Sequence, residues 1–315
     1  MSASSSYRQA TNFAVFLGPA LVFLLALLVA PIIVDLVVAF TDMAQTVTIN
    51  EFTTKQFGKL VHASDDSWLG FELRGTFYRA LSLTAVFVFL TLTIFNVTFG
   101  LILALTTTAL PDRLGAFFRA VWLLPRMAPS VVYALLWIWV VDPTERGLLN
   151  QLLVHGFGMA PVNMALNHPM ALIVISNGFI GASMGMLILT SSIRSIPQHL
   201  FHAARADGAG SLSVIRHVVL PALRWPLSYI TVFQTLALLV SFEYIFLLMG
   251  SSRSTMTMAM LAYTKTLAPG IGSGQYAYGA AITLILIVIG MVSALLLYRL
   301  TNMKALLAKP RIEVH

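Results

Sequence analysis

Two carboxylates stand inside long apolar stretches of this sequence, Asp35 and Glu243. Burying a charge in hydrocarbon is expensive, so each marks either a task or a place at headgroup level where the carboxylate is simply solvated. Gln234, Ser241 and Tyr244 surround Glu243 in the chain, and Asn177 lies in a separate apolar stretch. Hydroxyl, amide and carboxylate groups beside an aromatic face are what a small polyhydroxylated solute needs. Such groups equally well bond one helix to another, a reading that suits Asn177 at least as well.

Other chemistries lack their residues. The chain has 0 cysteines, so it holds no disulfide, thiolate metal site or cysteine nucleophile. His199 and His202 are not spaced with a glutamate as a metalloprotease helix requires, and no metal site is expected. Gly58-Lys59-Leu60 fails the phosphate-loop pattern, so no nucleotide site is expected on this chain. No pair of catalytic groups shares one depth, and no catalytic residue is assigned. Asn96-Val97-Thr98 fits a glycosylation pattern but falls within an apolar run, out of reach of a transferase.

These residues need a scaffold that lives in lipid. The 315-residue chain is 58% hydrophobic and 10% charged, against roughly 25% charged in a soluble domain. A spanning helix needs about 20 mostly apolar residues. Six segments qualify, at residues 13–40, 78–105, 117–141, 169–192, 225–250 and 277–300. The first is too long for the apolar region of a signal peptide and no small-residue cleavage site closes it, so it is read as a retained span. The expected fold class is all-α: a polytopic membrane protein with six transmembrane helices in a single domain over 1–315. The linker 41–77 is long enough for a small cap.

The net charge of +7 sits in short stretches between the apolar runs, which suits a membrane protein's flanks better than a nucleic-acid face, and no nucleic-acid partner is expected. With both termini inside, Arg8, Arg113, Arg119, Arg126, Arg194, Arg205, Arg216, Arg224, Arg299, Lys304, Lys309 and Arg311 fall on the cytoplasmic side. Asp42, Glu51, Asp65, Asp66, Glu72, Asp142 and Glu145 fall on the other side. Trp122, Trp137, Trp139 and Trp225 lie near span ends, as aromatic anchors do. Gly178, Gly181, Met184, Gly185 and Met186 suit close helix packing in the fourth span.

The linker 193–224 predicts a helix, a glycine turn and a second helix. Pro197 suits a helix start. Leu200, Ala203, Ala204 and Asp207 recur on one helical face. Gly208 breaks the helix, and Ser211 caps a second one that stops at Val219, before Pro221. A compact elbow of this kind, with small residues on its face, can pass a partner's movement to the spans on either side.

Ala203-Ala204-x-x-Asp207-Gly208-Ala209, followed by Leu220-Pro221, resembles the "EAA" loop of ABC importer permeases. Phe118 to Pro129, Trp137 to Pro143 and Gly147 to Asn150 look like the third span of the maltose-type sugar permeases. Gly18-Pro19-Ala20, Ala30-Pro31 and Gly279-Ala280-Ala281 extend the resemblance. Two departures stand out: His202 occupies the usual Glu position, and Leu248–Thr255 lacks that branch's Gly-Gly-Pro turn.

The resemblance implies a bacterial inner-membrane subunit that is not itself an enzyme. Its implied partners are a second, similar permease, two ATPase subunits that bind ATP and Mg, and an extracytoplasmic binding protein. His202, Ala203, Ala204, Asp207, Gly208 and Ala209 would form the ATPase-coupling loop. Asn177, Gln234, Ser241, Glu243 and Tyr244 would line the path of a carbohydrate or sugar-like solute. A polyamine is the alternative solute, and an ion-coupled secondary transporter using Asp35 and Glu243 the alternative class.

Overall fold

The computed structural model of the protein describes residues 15, 17–61, 73–267 and 274–300. Phe13, Arg8, Lys304, Lys309, Arg311, Asp65, Asp66 and Glu72, used above to place the spans, lie outside them. The described residues are helices joined by turns, with one isolated bridge between Thr41 and Phe52 and no strand among them.

Four helices are uninterrupted and long enough to cross a membrane: α1 (Leu17–Ala39), α3 (Thr76–Ala109), α6 (Pro169–Arg194) and α12 (Tyr276–Leu300). Between them lie α2 (Lys55–Val61), α4 (Asp112–Met127), α5 (Ser130–Val140), α7 (Gln198–Ala206), α8 (Ser211–Ala222), α9 (Arg224–Leu239), α10 (Glu243–Met249) and α11 (Met258–Thr266). The expected six spans are met only if α4 with α5, and α9 with α10, each count as one.

Those two spans are not the straight helices expected over 117–141 and 225–250. α4 and α5 meet at 101° and α9 and α10 at 51°. The first bend has a local cause. Ala128 precedes Pro129, whose ring pushes it out of the helical region, and it adopts φ −70°, ψ 142°. Pro129 is extended too, at ψ 139°, so the helix must restart at Ser130. The second bend holds neither proline nor glycine. Phe242 sits at φ −131°, and the Asn177 amide on α6 donates to the Ser241 hydroxyl at 3.2 Å, holding the break from outside.

The described residues pack as two units. The first combines residues up to Thr76 with Leu261–Ile285. Here residues 41–61, the described part of the linker after α1 that is expected to form a small cap, fold back on the end of α1. Thr53 N donates to the Phe40 carbonyl at 2.8 Å, and the Asp42 carboxylate accepts from the amides of Asn50 and Glu51. Gln45 N and Ala277 N tie the cap to the later segment by bonding the Gly274 and Met43 carbonyls. None of the most apolar window of α1 is buried, as a helix whose solvent is lipid allows. Asp35 on α1 is half-buried, and its Oδ2 has no hydrogen-bond partner among the described residues.

The second unit combines Phe77–Met260 with the chain from Leu286. α6 is its centre: 67% of its most apolar window is buried, and Ile173, Val174, Phe87, Val88, Leu238, Leu239 and Ile245 form the core around it. The α6 glycines pack closely, as their types imply, and their partner is α3 of the same chain. A Cβ at Gly178 would overlap the Phe95 ring, one at Gly181 the Asn96 amide, and one at Gly185 the Asn96 carbonyl. α3 is π-helical over Thr91–Phe99, which widens the turn that carries Asn96.

Candidate functional site

Both helix breaks are fastened to a single stretch of α6. The Tyr133 hydroxyl, after the first break, donates to the Ser176 carbonyl at 2.6 Å. The Arg126 guanidinium, before that break, reaches the Ile180 carbonyl at 3.4 Å. Gln234, before the second break, donates to the Gly181 carbonyl at 3.2 Å, and Ser241, within it, accepts from Asn177. A carbonyl has two lone pairs, so one already used in the helix can accept a side-chain donor as well.

The two breaks also touch each other. The Ser130 hydroxyl donates to the Glu243 carboxylate, joining the first residue of α5 to the first residue of α10. The Tyr133 and Tyr244 rings meet edge to face at 5.7 Å. Arg126 and Glu243 are exposed and Ser130 is half-buried. Unwound backbone and ionisable side chains persist at membrane depth only where protein or water surrounds them. The breaks are therefore places where protein or water, not lipid, surrounds the backbone.

Sequence reasoning named Asn177, Gln234, Ser241, Glu243 and Tyr244: Glu243 is exposed and Ser241 and Tyr244 half-buried at the second break, whereas Asn177 and Gln234 are buried and bond one helix to another. It missed Arg126, Ser130 and Tyr133. The signal was present in Pro125-Arg126-Met127-Ala128-Pro129, an arginine between two prolines within an apolar run.

The expectation that Trp122 and Trp137 are interfacial anchors does not hold. The bend folds α4 and α5 around one ring of α6: Trp122 stacks on Phe179 at 5.5 Å, and Trp137 meets it edge-on at 5.8 Å. Phe95 and Phe99 complete the cluster. Trp139, by contrast, is 79% exposed, and Trp225 stacks on Tyr229.

The elbow over 193–224 forms as expected in outline. α7 ends in a Schellman turn: Ala209 N donates to the Ala204 carbonyl at 2.9 Å and Gly208 N to the Arg205 carbonyl at 3.0 Å. Gly208 has φ +77°, the left-handed conformation that glycine adopts without penalty. Two details differ from expectation. Ser211 makes no cap; Gly210 holds the cap position, and Ser211 is the first helical residue. Nor does the helix stop before Pro221, because the π-turn Ile215–Val219 loosens the ladder ahead of the proline and α8 runs to Ala222.

One side of the elbow is anchored. Ile196, Val219, Leu223 and the Phe201 ring pack against Ala104, Leu189 and Ile230 of the long helices. The other side is free: His202, Ala203, Asp207 and Gly208 are exposed, while Ala204 and Ala209 are half-buried. An exposed helix closed by a glycine turn thus rides on a buried anchor.

The chain belongs to the family described as the binding-protein-dependent transport system inner membrane component, whose model matches residues 96–303. It is accordingly a membrane permease of a binding-protein-dependent ABC transport system, and not an enzyme. It is 27% identical over 302 residues to the galactooligosaccharides transport system permease protein GanP of Bacillus subtilis, covering 90% of this chain and 69% of that one. It is 31% identical over 209 residues to the xylose/arabinose import permease protein XacH of Haloferax volcanii, covering 64% of this chain and 65% of that one. In fold it is similar to a chain of a bacterial ABC transporter involved in the import of the acidic polysaccharide alginate. There the TM-score is 0.78 and the identity 21%, covering 95% of this chain and 97% of that one.

Proposed function

We propose that the chain forms half of the translocation path of an ATP-driven importer for a carbohydrate or sugar-like solute. The observation that carries this reading is the meeting of the two helix breaks at Ser130 and Glu243, with Arg126, Ser241 and Tyr244 beside it and the buried Asn177 and Gln234 bonding α6 behind it. Carboxylate, guanidinium and hydroxyl groups beside the half-buried Tyr244 ring match the hydroxyl edges and apolar faces of a sugar ring. The solutes for which the relatives are named, galactooligosaccharides and xylose or arabinose, support the same class.

In this reading a second permease supplies the other half of the path and two ATPase subunits bind ATP and Mg. The exposed face of His202, Ala203, Asp207 and Gly208, with Ala204 and Ala209 behind it, docks on one ATPase. Both termini are cytoplasmic, which puts the elbow on the ATPase side. A binding protein delivers the solute to the opposite face.

The test is purification in mild detergent from the native host, with identification of the co-purifying chains and uptake measured in proteoliposomes. Wild-type protein is expected to bring an ATPase and a permease with it and to take up a sugar only with ATP. A chain that purifies alone and moves solute without ATP overturns the reading in favour of ion-coupled transport.

A further inference from the structure

We propose that the hydrogen bond from Ser130 to Glu243 couples the two bends, so that α5 and α10 turn about Ala128–Pro129 and Val240–Phe242 as one body. The inference rests on the solute-path reading above and concerns how that path changes shape.

Each hinge interrupts the backbone ladder. At the first, Ala128 N still bonds back to the Leu124 carbonyl, Pro129 has no N–H to give, and the next helix opens with Tyr133 N to the Pro129 carbonyl. At the second, Ser241 N bonds only to the Leu238 carbonyl, and the following helix opens with Phe246 N to the Phe242 carbonyl. A few element-terminal residues of this kind can absorb a change in direction while the helices on either side stay intact.

Across the two hinges, α5 and α10 hold each other. Ser130 and Glu243 are the first residues of their helices, immediately beyond the pivots. Displacement in a rotation grows with distance from the pivot, so a bond placed there is stretched least. It survives while the far ends, Val140 and Met249, sweep. Glu243 makes it a charge-assisted bond, about twice as strong as a neutral one. The Tyr133–Tyr244 contact, one turn or less further on, adds a second link on the same side. The fixed reference is α6, whose bonds to Arg126 and Gln234 hold the segments before the hinges; the Tyr133–Ser176 bond, the Trp137–Phe179 contact and the packing of Ile245 lie beyond the hinges and must give way as the body turns. Ser130 and Glu243 are thus positioning residues, acting through the helices they begin.

The chain has 0 cysteines, so once the cysteines of the partner subunits are replaced, engineered pairs in the assembled transporter carry spin labels at chosen places only. One pair, Leu136→Cys with Leu247→Cys, spans α5 to α10. Phe117→Cys with Leu136→Cys crosses the first hinge, and Phe233→Cys with Leu247→Cys the second. Distances are read by pulsed electron paramagnetic resonance in nucleotide-free and nucleotide-trapped states. Both hinge distances are expected to shift between the states while the α5–α10 distance holds. Glu243→Ala is expected to broaden or shift the α5–α10 distance. Glu243→Gln, which keeps an oxygen for Ser130, is expected to preserve it. An α5–α10 distance that shifts along with the hinges, hinges that do not move, or an α5–α10 distance unaffected by Glu243→Ala would each overturn the proposal. ATP-driven uptake on the same samples tests the permease reading separately.

Discussion

The Asn96 side chain lies so close to Gly181 that a single methyl group on the glycine would overlap its amide. Asn96 is 1% exposed, and neither its oxygen nor its nitrogen finds a hydrogen-bond partner among the described residues. The crossing of α3 and α6 therefore presses a polar group into a place where it goes unpaired, at a cost of about 1–3 kcal/mol. Close backbone approach through small residues is how helices gain contact in lipid, and here that gain holds the amide in position.

Gly181→Ala should accordingly destabilise the protein by about 1–3 kcal/mol through overpacking. The thermal transition of the detergent-purified chain measures it. Adding Asn96→Ala should recover much of the loss, because it removes the overlapping group and the unpaired amide together. Gly58→Ala, which meets nothing within 4 Å, should be neutral or stabilising by up to about 1 kcal/mol. If the double variant is no better than Gly181→Ala, the overlap is not the cause of the loss.

The elbow makes a different prediction about glycine. Gly208 has open space around it, so any substitution acts through its φ of +77° alone. Gly208→Ala should weaken the turn by about 1–2 kcal/mol and lower ATPase recovery in co-purification. Gly210→Ala, at φ −71° and also in open space, should leave recovery close to wild type. Equal recovery from the two variants would remove the turn from the docking element.

At the loop after α5, Asp142 carries a pH dependence. The Thr144 hydroxyl and amide donate to its Oδ1 at 2.5 and 2.8 Å, holding its carboxyl below the ordinary aspartate value of 3.8. A group whose folded value is depressed stabilises the turn fully above its ordinary value. That contribution is lost as pH falls below 3.8 and through the lower folded value. Exchange of the Thr144 amide hydrogen should therefore accelerate below that pH, and Asp142→Asn should flatten the dependence. The neighbouring Asn150, whose side chain bonds the Asp142, Thr144 and Val162 carbonyls and the Val162 amide, does not titrate. It should keep Val162 protected across the same range.

Legibility differed between the two bends. Ala128-Pro129 states a break in its own residue types, and the straight span over 117–141 could have been rejected on that dipeptide alone. Leu239-Val240-Ser241-Phe242-Glu243 states none, because what holds it open is an amide on α6, 64 residues earlier in the chain. The tryptophans were misread for a related reason. Trp122 and Trp137 flank the first bend, and only a bend of 101° folds both onto Phe179.

The amino-acid sequence by itself determined that the chain lives in lipid, where its four uninterrupted apolar helices begin and end to within a few residues, and that 193–224 is an elbow. Apolar run length, glycine at a left-handed turn and the motif around Ala203–Ala209 are local properties, and local chemistry suffices to read them. Only the tertiary structure decided that two spans are broken, that both breaks are fastened to Ser176–Gly181, and that Ser130 meets Glu243. Those are bonds between residues far apart in the chain, and their partners become neighbours only once the helices have packed.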